Sequence, residues 1–230
     1  MERMKKEEAP SLEGVLDFLK ALSKNNDRDW FNAHKGEYLQ VKARVEDFMV
    51  WLVEHLVKFD KELALVDARK GMYRIYRDTR FSNDKRPYKD YIGTFLSKEG
   101  RHGSCSGYYI HLEPGKCMFG AGVYGLPPEK QKKVRDGIYF QSQKLRNILQ
   151  KPDMKKVYGG KMDENMRLKV APRGYDKDFP DMDLLKYRHY FVSRNITDRE
   201  VNAAGFAQKL LDGLVTAVPF NRFLNEALDF

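Results

Sequence analysis

Apolar positions recur at two different periods along the chain. In "SLEGVLDFLKAL" Leu12, Val15, Leu16, Leu19 and Leu22 fall at helical spacing, which predicts one buried face and a helix starting near Ser11, a residue type that caps exposed amides. "NNDRDWFNAH" supplies Asn26 or Asp27 as a second cap, with Trp30 and Phe31 as anchors. After Gly36 the run Tyr38, Val41, Val45, Phe48, Leu52, Leu56 and Phe59 predicts a long amphipathic helix. From residue 71 the period shortens to two. "GMYRIYRDTRF" puts Tyr73, Ile75, Arg77 and Thr79 on one side and Met72, Arg74, Tyr76, Asp78 and Arg80 on the other, as in a strand. "YIGTFLS" predicts a further strand. "GYYIHLEPGKCMFGAGVYG" predicts a hairpin whose Pro114 and Gly115 suit the central positions of a type II turn.

Beyond "LPP", where proline starts a helix, residues 129–149 are patterned as one helix. "MRLKVAPRGY" is extended, with a turn forced by Pro172 and Gly174, and "MDLLKYRHYFVSR" begins helical and ends strand-like. From Thr197 a final helix runs through Val201, Phe206, Leu210, Leu211 and Leu214, and Pro219 interrupts it before "FNRFLNEAL". The expected fold class is α+β: residues 71–78 and 107–124 pair in an antiparallel β-sheet, one face of which is covered by the N-terminal helices (12–58) and C-terminal helices (197–228). One domain is expected over 11–230, behind a flexible charged tail at 1–10.

Composition narrows the function classes. No apolar run approaches the roughly 20 residues that a membrane helix needs, so no membrane partner is expected. The start "MERMKKEEAP" has no apolar stretch after its charges, and a cytoplasmic location is the expectation. Cys105 and Cys117 form no C-x-x-C pair and have no His at ligand spacing, which predicts reduced thiols and no metal site. Cys105 in "GSCSG" reads as a small residue of a Gly/Ser loop rather than a nucleophile. Phosphate-loop, dinucleotide, zinc-protease and nucleophile-elbow motifs are missing from the sequence. No reaction, catalytic residue or cofactor is therefore read from it.

Charge adds two candidates. The net charge is +9, and residues 116–170 hold 13 Lys/Arg against 5 Asp/Glu. A surface of that sign attracts phosphate backbones, making nucleic acid one possible partner. Its lysines are scattered along segments such as "PPEKQKKVRDGI", however, in the manner of a solvated helix face. The denser cluster is "RIYRDTRFSNDKRPYK", with Arg74, Arg77, Arg80, Lys85, Arg86 and Lys89 around Asp78 and Asp84, and Tyr76, Phe81, Pro87 and Tyr88 interleaved. Arg77, Arg80, Lys85 and Lys89 have the donors to clamp a phosphate or carboxylate, with Asp78 and Asp84 orienting them. Convergence requires a bend near Thr79 or Phe81 and a folded-back loop, so that Lys85, Tyr88 and Lys89 close over one cavity. The competing reading is an Arg–Asp lattice that staples the strand to its loop. His111 shares a strand face with Tyr109 and Glu113, a grouping able to move protons. Arg28, in a polar segment that capping also explains, completes the candidates.

Taken in order, "FLKALSKNNDRDWFNAHKGEY", "YRIYRDTRFSNDKRPYKDYIG", "GYYIHLEPGKCMFGAGVY", "LPPEKQKKVR" and "APRGYDKDFPDMDLLKYRHYFV" resemble the domain of unknown function family numbered 2461, over nearly the whole chain from Leu12 onward. The motif R-D-x-R-F-S-x-D-K-x-P-Y-K is its most specific part. The resemblance implies an α+β protein of bacterial type and supplies no reaction. Its pattern includes Asn25, Asn26, Arg28, Arg77, Asp78, Arg80, Asp84, Lys85, Tyr88 and Lys89, which favours a ligand site over a lattice. The expectation is a small phosphorylated or carboxylated anion, held by Arg28, Arg77, Asp78, Arg80, Asp84, Lys85, Tyr88, Lys89 and His111.

Overall fold

The computed structural model describes residues 9–229; of the tail expected at 1–10, residues 1–8 lie outside it. The first helix, α1 (Val15–Lys24), begins later than expected, because Gly14 at φ 77° turns the chain before the helix can start. Ser11 is not its cap; its hydroxyl accepts the Glu13 amide at 3.1 Å, one turn earlier. Asp27 does cap α2 (Arg28–Ala33), accepting the Trp30 amide at 2.9 Å. Then α3 (Lys35–Leu56) buries Val41, Val45, Phe48, Leu52 and Leu56, while Gly36 sits inside its first turn and Phe59 lies exposed beyond its end.

Residues 71–78 correct the strand expected there. Only isolated bridges form, Met72 to Thr94 and Tyr76 to Tyr88. Arg77 N donates to Pro87 O at 2.9 Å and Lys89 N to Ile75 O at 2.8 Å. The chain doubles back and pairs with its own return, so the two-residue period is satisfied locally and no ladder to 107–124 is built.

The sheet has four antiparallel strands in the order β1 (Ile92–Leu96), β2 (Gly107–Leu112), β3 (Met118–Val123) and β4 (Tyr190–Asn195). Gly115, at φ 77°, closes the β2–β3 turn as expected, with Lys116 N on Glu113 O at 2.9 Å. Between β3 and β4 come α4 (Pro128–Leu149), which kinks at Gln141, α5 (Pro152–Tyr158) and α6 (Met182–Leu185). The expected last helix is three. Thr197 and Glu200 form a capping box on α7 (Asp198–Val201), Gly205 at φ 79° breaks the chain before α8 (Phe206–Thr216), and α9 (Val218–Asp229) follows. Pro219 thus lies in the first turn of a helix, where its missing N–H costs nothing, instead of interrupting one.

Alternate sheet residues Ile92, Leu96, Tyr108, Ile110, Leu112, Phe119, Ala121 and Val192 enter the core with the helices, and α8 and α9 pack on β3. The opposite face carries Phe95, Tyr109, His111, Met118, Ser193 and Asn195, none of them fully buried.

A buried polar latch ties α9 to the sheet. Ser106 N donates to Asn225 Oδ1 at 2.8 Å, Ser106 Oγ to Asn221 O at 2.9 Å, and Asn221 Nδ2 to Gly107 O at 3.1 Å. Asn225→Leu leaves the Ser106 amide unsatisfied and is expected to cost about 1–3 kcal/mol of stability, read by urea denaturation.

Candidate functional site

The cluster 74–89 divides into two parts. One is a set of ion pairs: Arg77 and Arg86 share Asp84 at 2.6 and 2.8 Å, Arg86 also meets Asp90 at 2.8 Å, and Arg80 separately meets Asp78 at 2.7 Å. Arg80 holds the Asp78 carboxyl down at about 2, and donors from Arg86 and then Arg77 put Asp84 far below the usual carboxylate range. Lys85 donates to Thr79 O at 3.0 Å and is exposed. Tyr88 is buried, with its ring stacked on Phe31 at 4.0 Å. Its amide donates to Asn26 Oδ1 at 3.1 Å and its carbonyl accepts Asn26 Nδ2 at 3.0 Å. Arg28 is exposed at the start of α2, where its charge reaches the Tyr88 phenol. The loop does fold back, yet Lys85, Tyr88 and Lys89 point three different ways.

The second part is Lys89. The Asn26 clamp fixes the backbone just ahead of it, and its side chain enters a groove of about 980 Å³ over the open sheet face. Its Nζ stands 5.7 Å from the ring centres of both Tyr73 and Tyr91. Among the described residues no carboxylate lies within 4.0 Å of it. Burial, then the positive charges of Arg74 and Arg101, push its pKa below the ordinary lysine value. Arg101, from the loop between β1 and β2, lines the same groove. Its Nη1 donates to Met72 O at 2.7 Å and Lys70 O at 3.0 Å, and its Nε meets His102 Nε2 at 3.0 Å. The Nη2 group has no partner among the described residues, and neither does the charge as a whole.

Glycines keep the floor low. A Cβ on Gly120 would come within 2.6 Å of the Phe191 ring, and one on Gly93 within 2.8 Å of the Tyr109 hydroxyl. Their absence lets both rings lie across neighbouring strands, giving a flat floor of Phe95, Tyr109 and Phe191.

His111 touches this floor through Tyr109. The Tyr109 hydroxyl is 2.9 Å from His111 Nδ1, and His111 Nε2 is 2.9 Å from Glu113 Oε2. A carboxylate only accepts, so Nε2 carries the proton, and in the neutral ring Nδ1 accepts the phenol O–H. Burial opposes ionisation of Glu113, but the donors Lys116 and His111 outweigh it and keep the carboxyl below its usual value. Burial first, then the neighbours Tyr91, Tyr73 and Glu113, raise the Tyr109 pKa. Tyr109 is thereby kept a neutral phenol whose orientation is set from behind.

Of the sequence candidates, Lys89 lines the groove and His111 supports it through Tyr109, while Arg77, Asp78, Arg80 and Asp84 are tied in ion pairs elsewhere. Arg101, Tyr73, Tyr91, Asp163 and Ser193 belong to the groove and were missed. The one signal for them was the run of glycines at alternate positions in "MFGAGV" beside "GYYIHL".

In the basic stretch 116–170, Lys116, Lys132, Lys144, Arg146, Lys161 and Arg167 are each paired with a carboxylate of the same chain. Among the described residues no group of three or more His, Cys, Asp or Glu is arranged to hold a metal ion, and no helix is long and apolar enough to cross a membrane.

Fold and groove together define an α+β protein whose four-stranded antiparallel sheet is helix-covered on one face and grooved on the other. The model of the family described as "Conserved hypothetical protein (DUF2461)" matches residues 14–223. The chain belongs to that family. Comparison with curated proteins and with solved structures finds no match.

Proposed function

We propose that the protein binds a small carboxylated or phosphorylated molecule in the groove, with Lys89 and Arg101 as its anion contacts. The observation that carries this reading is the pair of cations at one end of an aromatic-walled groove, both without a carboxylate among the described residues, in a segment where every other arginine from 77 to 86 is paired. An uncompensated, partly desolvated ammonium is costly, and a bound anion removes that cost. Tyr91 adds a hydroxyl donor, and Tyr73, Tyr91 and Tyr109 add ring faces.

The test is thermal melting against a panel of phosphorylated and carboxylated metabolites. Some anions should raise Tm in wild type and in Arg80→Ala alike, through linkage. A panel in which no anion shifts the wild-type Tm contradicts the reading. Salt separates it from the nucleic-acid alternative, since a duplex held by several phosphates is released steeply as salt rises.

The lowered Lys89 pKa sets a pH dependence. An anion needs the ammonium, which is fully present below the folded-state pKa and lost as pH rises through it, and that loss comes below the ordinary 10.5. In the free protein the sign is opposite, because the folded state binds fewer protons than the unfolded chain and gains stability across the same window. Anion-induced stabilisation should therefore fade at a pH below 10.5 in wild type and persist in Lys89→Arg, as measured by melts across the alkaline range.

A further inference from the structure

The groove carries uncompensated charge of both signs, at opposite ends. Lys89 and Arg101 stand outside β1. Asp163 stands outside β4, placed there by its amide on Phe191 O at 2.8 Å. Its Oδ2 accepts the Ser193 hydroxyl at 2.6 Å, and no Lys or Arg lies within 4.0 Å of it among the described residues. The neighbouring Glu164, by contrast, is met by Lys161 at 3.5 Å and Arg167 at 3.6 Å. A half-buried carboxylate with one neutral donor still has acceptor capacity facing the groove. Phe95, Tyr109 and Phe191 fill the interval, so the middle of the groove suits apolar or planar groups.

Three inter-strand spacings separate β1 from β4, so the edges of the floor, beyond which the two charged ends stand, lie about 14 Å apart. Across that distance in an open groove they do little to neutralise each other. Each is better explained as a half-site. We infer that the ligand is an elongated zwitterion, its anionic group on Lys89 and Arg101 and its protonated amine on Asp163 with Ser193. The simplest chemistry that fits is a short peptide with both ends free, as four extended residues also span about 14 Å. This inference rests on the anion-binding reading and adds the second end to it.

Titration calorimetry with a tetrapeptide of alternating glycine and phenylalanine, in free, N-acetylated and C-amidated forms, tests it. The free peptide should bind wild type at least tenfold more tightly than either blocked form. Acetylation should cost little in Asp163→Asn, which retains an acceptor for Ser193, and amidation should cost little in Lys89→Met. Equal binding of free and acetylated peptide by the wild-type protein, or no binding of any of the three, overturns the inference. If inorganic phosphate or simple carboxylates still stabilise the protein in that case, the anion site stands and only the bipolar ligand falls; if they do not, both readings fall.

Discussion

Lys89→Met should sharply reduce anion-induced stabilisation while leaving the unliganded protein as stable as wild type or slightly more so. Methionine keeps an unbranched apolar stem beside Tyr73 and Tyr91 and removes the ammonium, whose distance of 5.7 Å from both ring centres makes the lost cation–π attraction small. The ammonium takes part in no salt bridge with any described residue, so its loss orphans no carboxylate, and the repulsion from Arg74 and Arg101 that lowers its pKa disappears. A charge-assisted hydrogen bond to a ligand is worth about 1.5–3 kcal/mol, which corresponds to a loss of roughly 10- to 150-fold in affinity. Melting curves with and without the best anion of the panel check both halves of this expectation. Arg80→Ala serves as the contrast, because Arg80 pairs with exposed Asp78 and lies outside the groove.

Asn26→Leu should be the more damaging change to the fold, and should impair binding indirectly. The Asn26 amide satisfies both the N–H and the C=O of Tyr88, a residue only 4% exposed, so leucine leaves two buried backbone groups without partners. At about 1–3 kcal/mol for each, the loss is about 2–6 kcal/mol. Because Tyr88 immediately precedes Lys89, the damage should spread to the groove and lower anion affinity in the fraction that remains folded. Urea denaturation gives the stability change. Asn26→Asp, which keeps the acceptor for the Tyr88 amide and replaces the donor to its carbonyl, should fall at least as far. A stability within 0.5 kcal/mol of wild type in either variant would contradict the clamp.

The helices and the hairpin could be read from the sequence because their signals are local. Asp27 caps the helix that begins at Arg28, Val41 to Leu56 repeat at helical spacing, and Pro114–Gly115 fit one turn type. Residues 71–78 misled because alternation marks an extended chain without naming its partner, and here the partner is the segment's own return at Pro87 to Lys89. The cluster at 74–89 stood out by density of charge, but density does not distinguish a paired arginine from a free lysine. That distinction depends on which carboxylates come within reach after folding: Asp84 and Asp90 meet Arg86, and among the described residues nothing acidic meets Lys89. Arg101 and Asp163 were not named by charge density for the same reason, since they lie beyond opposite edges of the sheet and more than sixty residues apart in the chain.

Crystals soaked in selenate, a tetrahedral dianion located by its anomalous scattering, would decide whether the groove is the anion site. The account predicts a selenium peak placed so that the selenate oxygens accept hydrogen bonds from Lys89 Nζ and the Arg101 Nη2 group, and its disappearance in Lys89→Met. Selenate found only on the arginines of the 77–86 ion pairs, with the groove empty at saturating concentration, would contradict it.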